Sequence, residues 1–196
     1  MRNKHKLKFK VITMAVIASL VLVLAACESS NQEEAVSTGG TEHSEGTDHS
    51  GMNHSGSGEV PEGLKKAAHP TYAVGSNAIM EADHMPGMKG AEATIVGAYD
   101  TTVYMISYKP THGGPEVKNH KWVIHEELQN PGETPLPTGT KVVVEADHME
   151  GMQGATTVID SAEQTTVYMV DYSSTTDGKE VTNHKWVTES ELTPVP

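Results

Sequence analysis

The chain has 196 residues, with 14 Lys and Arg against 26 Asp and Glu and a formal net charge of -12. An acidic balance with no basic stripe argues against nucleic acid, whose phosphates it would repel. The single cysteine, Cys27, excludes an intramolecular disulfide, a zinc-thiolate cluster and cysteine catalysis in the mature chain.

At the N-terminus, Arg2, Lys4, Lys6, Lys8 and Lys10 precede an apolar run from Val11 to Ala26, the order of a secretory signal. The run ends in Leu24-Ala25-Ala26-Cys27, a small-residue cleavage site followed by a thiol, which is a lipobox. Residues 1–26 are therefore expected to be a lipoprotein signal peptide, and Cys27 the diacylglyceryl-bearing first residue of the mature protein. This 16-residue run is shorter than the roughly 20 residues needed to cross a bilayer as a helix. Two acyl chains anchor durably where one does not, so the expected location is the extracytoplasmic face of the cell membrane. Cleavage leaves nine basic residues against 26 acidic ones, a net charge of -17.

Residues 27–68 are expected to form a disordered, acidic tether. Over most of that length Ser, Gly, Glu, Thr and His dominate, and such a composition buries too little apolar surface to offset the entropy of ordering. Within it lie His43, His49, Met52 and His54, where no core exists to explain the methionine. His-rich tracts of this kind bind metals.

A shift of 64 residues aligns Gly75 to Leu128 with Gly139 to Leu192 without a gap, and 29 of the 54 positions are identical. The longest matches are Glu81 to Met85 with Glu145 to Met149, Thr101 to Met105 with Thr165 to Met169, and Asn119 to Val123 with Asn183 to Val187. The chain thus reads as a first β repeat over 69–132 and a second over 133–196, joined where Pro131, Gly132, Pro135 and Pro137 cluster.

Within a repeat, Lys141 to Ala146, Thr156 to Ser161 and Thr165 to Tyr172 have strand composition, and a last strand carries Trp186. A turn of helix at Glu189 to Leu192 closes the unit. No segment keeps a 3.6-residue apolar period. The expected class is all-β, as two tandem small SH3-like barrels whose closure removes exposed strand edges.

The chemistry concentrates in His84-Met85-Pro86-Gly87-Met88 and its copy His148-Met149-Glu150-Gly151-Met152. Thioether sulfur is a soft donor that suits Cu(I), and imidazole serves either copper state. Neither donor is lost to disulfide formation outside the cytoplasm. Asp83 and Asp147 stand beside the imidazoles as candidates to orient a ring nitrogen. The competing account is packing, because methionine is an adaptable core filler. His120 and His184 precede Trp122 and Trp186 by two positions, which in a strand places each pair on one face; they are weaker candidates, as are His43, His49, Met52 and His54. His69, His112 and His125 have no histidine at the repeat offset and stay outside the expected site.

No serine elbow, phosphate-cradling glycine loop or His-Glu-x-x-His helix is present, so the expectation is a protein that is not an enzyme. The lipobox, the His/Met tether and the duplicated blocks around His-Met-x-Gly-Met, Thr-Thr-Val-Tyr-Met and Asn-His-Lys-Trp-Val resemble the YdhK family of tandem-repeat bacterial lipoproteins, which includes the copper-binding lipoprotein CopL. The resemblance implies a membrane-anchored protein outside the cytoplasm that helps resist copper, often beside a copper-exporting P-type ATPase. The expected function is sequestration or buffering of Cu(I) and Cu(II). The rival is a cell-envelope recognition module that binds a wall component or membrane protein without metal.

Overall fold

The structure, a computed structural model, describes residues 55–196. The signal, Cys27 and the group His43, His49, Met52 and His54 lie outside the described residues.

The described chain is all-β. Its strands are β1 (Lys65–Lys66), β2 (Asn77–Met80), β3 (Glu92–Tyr108), β4 (Val117–Ile124), β5 (Lys141–Val143), β6 (Thr156–Ser173), β7 (Glu180–Thr188) and β8 (Leu192–Pro194). Single 3-10 turns at His125–Glu127 and Glu189–Glu191 end the two repeats, the second where a helical turn is expected. β6 is one strand of 18 residues where the sequence suggests two. No Gly or Pro interrupts residues 156–173, and the polar stretch Ser161 to Gln164 pairs with Thr102 to Met105 rather than turning.

That pairing decides the architecture. β3 and β6 run antiparallel along nearly their whole length, with Thr101 opposite Thr165, its own equivalent in the other repeat. Ala98 faces Tyr168 and Tyr104 faces Ala162, which the 64-residue shift interchanges. An approximate two-fold axis therefore passes between Thr101 and Thr165. The repeats also exchange their ends: β8 of the second repeat pairs with β2 of the first, placing Leu192 opposite Met80. In the symmetric position Leu128 bridges to Val144.

The expectation of two separately closed barrels is corrected accordingly: the two repeats share one eight-stranded sheet that does not close within either repeat. The physical reason is core size. A unit of about 60 residues buries too little surface to be comfortable alone. Each core instead draws on both repeats. Met80, Met88 and Ile95 pack with Tyr168, Val170, Val187 and Leu192, while Tyr104, Ile106 and Leu128 pack with Val144, Met152 and Ile159. A third cluster near the axis joins Tyr99, Val103 and Trp122 to Val167, Met169 and Trp186. At about 1.5–3 kcal/mol per fully buried large apolar side chain, this sharing is a major source of stability.

Residues 55–68, assigned by sequence to the tether, lie on the fold. Gly56 N donates to Thr182 O at 2.8 Å and Thr182 N to Ser55 Oγ at 3.0 Å. Further on, Lys65 and Lys66 pair with Asp100 and Tyr99. Contact with the edge of β7 and with β3 orders a segment whose composition alone would leave it loose.

Candidate metal centre at the His-Met turns

The two His-Met-x-Gly-Met turns follow β2 and β5, and a positive φ at their glycines, +87° at Gly87 and +76° at Gly151, lets the chain reverse. Met88 N donates to Met85 O, and Met152 N to Met149 O, closing each turn. The reversal sends the two methionines of a turn to different surroundings. Met88 and Met152 are fully buried, one in each shared core. Met85 and Met149 are half-buried at the margins of the same cores. Tyr108 Oη lies 4.0 Å from Met149 Sδ.

His84 and His148 are anchored from the opposite repeat. Glu191 Oε1 lies 2.6 Å from His84 Nε2, and Glu127 Oε1 lies 2.9 Å from His148 Nε2. Each carboxylate is itself held by an indole and by backbone. Trp122 Nε1 donates to Glu191 at 2.8 Å and Trp186 Nε1 to Glu127 at 3.1 Å. The amides of Thr188 and Ile124 donate to Glu191 and Glu127 respectively.

These donors set the charge. Burial alone would raise the Glu191 carboxyl, but the hydrogen bond and positive charge of His84, with the Thr188 amide and Trp122 indole, outweigh it and bring the pKa down to about 2. For Glu127 burial opposes ionisation too, and the charge and hydrogen bond of His148, the Ile124 amide and the Trp186 indole hold the group below the ordinary carboxylate range.

The consequence falls on the imidazoles. An ionised carboxylate only accepts, so Nε2 of each histidine carries the hydrogen; in the neutral ring Nδ1 is then the lone-pair nitrogen. Nδ1 of His84 and Nδ1 of His148 are both buried without a hydrogen-bond partner. A buried polar nitrogen left unmatched is costly. A carboxylate on one ring nitrogen with the other left open is the arrangement that fixes a metal-binding histidine in the correct tautomer.

Asp83 and Asp147, expected to orient the imidazoles, are exposed, and the orienting carboxylates are Glu191 and Glu127. Both pairs lie in the turns after β2 and β5, where no strand alternation sets the direction of neighbouring side chains, and there the aspartates face solvent while the imidazoles face the opposite repeat. The expected sharing of a face by His120 with Trp122 is also corrected. The β3–β4 register shifts between Tyr104 and Ile106 and again between Ile106 and Tyr108, which breaks the two-residue alternation. His120 packs edge-on against Tyr108 at 6.2 Å between ring centres and lies 6.3 Å from the His148 ring. Trp122 instead packs edge-on against His84 at 6.2 Å. His184 meets Tyr172 at 5.9 Å, repeating the contact of His120 with Tyr108.

The structure thus brings His148, Met149, His120, Tyr108 and Glu127 into one group, and His84, Trp122 and Glu191 into its counterpart. Burial pushes Tyr108 and Tyr172 up to about 12, with Asp177 adding to the effect at Tyr172, so both remain neutral phenols. Among the described residues no three His, Cys, Asp or Glu side chains form a ligand cluster; a metal at either turn would draw on thioether sulfur. Glu127 and Glu191 were missed in the sequence. Their signal was the repeated Glu-Leu pair that ends each unit. His125 bonds Tyr104 Oη through Nδ1 at 3.0 Å and Gly132 O through Nε2 at 3.2 Å, which ties it to the inter-repeat connection.

A family model described as a protein of unknown function, DUF1541, matches residues 74–125 and again 138–189. The chain belongs to the DUF1541 family. It is 56% identical over 174 residues to the uncharacterized protein YdhK of Bacillus subtilis strain 168, covering 89% of this chain and 84% of that one. A crystal structure of the DUF1541 protein YdhK from that bacterium superposes with a TM-score of 0.72 at 60% identity, covering 75% of this chain and all of the other. A second YdhK crystal structure gives 0.60 at 62% identity, with 61% and 98% covered. The two DUF1541 matches begin just before β2 and β5 and end within the two 3-10 turns. Each match therefore contains one His-Met turn and lacks the glutamate that anchors it, which the other repeat supplies.

Proposed function

We propose that this protein is a membrane-anchored, extracytoplasmic copper-binding lipoprotein that sequesters or buffers Cu(I), and secondarily Cu(II), in copper resistance. One observation carries the reading: on each side of the two-fold axis a buried imidazole offers an unmatched Nδ1 while an ionised carboxylate holds its Nε2. His148 with Met149, and His84 with Met85, supply the imidazole and thioether that a soft monovalent copper ion prefers. His43, His49, Met52 and His54 add a second set of the same donors. The resemblance of the repeated sequence blocks to a family that includes the copper-binding lipoprotein CopL implies the same function. Diacylated Cys27 supplies the anchor, and a copper-exporting P-type ATPase in the same membrane is the fitting partner.

The test is competition for Cu(I) against a chromogenic chelator, using the full-length protein and its H84A, H148A and double variants. The reading requires stoichiometric loss of tightly held copper with each substitution. Absence of uptake by the wild type, combined with capture of cell-wall fragments, would replace it with a metal-free recognition module.

A further inference from the structure

The two turns differ in what covers them. In the first repeat, a Cβ added to Gly87 would meet Ser174 Oγ at 2.2 Å and Thr176 Oγ1 at 3.0 Å, so hydroxyls of the β6–β7 loop occupy that space. In the second repeat, the same construction on Gly151 meets His112 Nδ1 at 2.2 Å and Pro110 Cβ at 2.9 Å. His112 therefore stands exactly one repeat before Thr176, and an imidazole replaces a hydroxyl against the His148 turn.

The β3–β4 loop is pinned there. Thr111 N donates to Gly151 O at 2.9 Å, and Thr111 Oγ1 reaches the same oxygen at 3.3 Å. This holds the backbone next to His112 on the turn, while His112 as a whole is exposed. An exposed side chain exchanges rotamers within nanoseconds, so the imidazole is not locked in its place on Gly151. The loop on the other turn is pinned in the same way, Thr175 N donating to Gly87 O at 3.0 Å, but it carries no imidazole.

We infer that the two copper sites are unequal, and that His112 is an additional imidazole donor serving only the His148 site. The inference rests on the copper reading and deepens it. A further nitrogen donor favours Cu(II) more than a second thioether would, so the His148 site takes copper in either valence and the His84 site is confined to Cu(I). His112 is exposed, whereas Nδ1 of His148 is buried.

The experiment uses the full-length protein with His43, His49 and His54 replaced by Ala, so that N-terminal imidazoles do not compete. Cu(II) is titrated and followed by pulsed electron paramagnetic resonance, which counts coordinated imidazoles, and Cu(I) is titrated in parallel against a chelator. H112T and T176H are compared with this background. The inference expects one Cu(II) site in the background, its weakening by at least about tenfold in H112T, since losing a donor costs no less than losing an outer partner of one, and a second Cu(II) site in T176H. Unchanged Cu(II) affinity and imidazole count in H112T, with Cu(I) still bound and lost in H148A, would overturn the role of His112 and leave the copper reading standing. No uptake of either valence would overturn both.

Discussion

Glu127 and His148 belong to different repeats, yet Glu127 Oε1 lies 2.9 Å from His148 Nε2, and the two-fold axis generates the same relationship between Glu191 and His84. The orienting carboxylate and the imidazole of each turn are thus contributed by opposite halves of the chain. Each candidate site exists only when the repeats are interleaved.

Replacing Glu127 or Glu191 by Gln should keep the shape of the carboxylate and remove its charge. The Nε2–H of the facing histidine then loses an ionised acceptor, and copper affinity at that turn is expected to fall about 10- to 100-fold. Chelator competition on E127Q and E191Q, each affecting one site, measures it. Equal affinity in both variants and the wild type would refute the orienting role.

The methionines of a turn should separate. Met152 is fully buried in a core, so M152A is expected to cost about 2–5 kcal/mol of stability, as large-to-small core substitutions do. M152L should cost less than about 1.5 kcal/mol and leave copper binding unaltered. M149L, at the half-buried position, should leave stability nearly unchanged and weaken Cu(I) binding. Thermal melts beside Cu(I) titrations distinguish the two, and a reversal of the pattern would assign the ligand to the inner methionine.

Acid should unfold the protein through these same carboxylates. Glu191 titrates at about 2 in the fold against an ordinary 4.5, and Glu127 is lowered as well. A folded-state pKa below the unfolded one contributes stability that is fully present above pH 4.5 and lost as pH falls toward 2. Tryptophan fluorescence during an acid titration should report the loss, because Trp122 and Trp186 donate to these two groups. In E191Q the pH dependence in that window should be shallower; an identical slope would show that other groups dominate.

A single repeat, residues 69–132 or 133–196 alone, should not fold as a monomer. It would carry half of two cores and no complete sheet. Size-exclusion chromatography with circular dichroism should find an unfolded chain or a dimer that rebuilds the axis between copies. A folded monomeric repeat would contradict the shared-core description.

Much of this was legible along the chain. The 64-residue repeat, the all-β class and the two His-Met turns follow from local identity and from the lack of a helical period, since both are properties of neighbouring residues. Residues 55–68 were misassigned because their composition is that of a loose segment and only contact with β3 and β7 orders them. His120 and Trp122 were expected on one face because a regular strand alternates, and the register shifts beside Ile106 depend on the pairing partner.

By itself the sequence determined which donors exist and that each occurs twice, because residue identity and spacing are written in the chain. Only the tertiary structure decided which repeat completes which turn. Pairing of β3 with β6 across the two-fold axis brings Glu127 to His148 and Glu191 to His84 over separations of 21 and 107 residues. Cross-repeat burial, not local propensity, selects that arrangement, and it leaves one nitrogen of each imidazole unmatched.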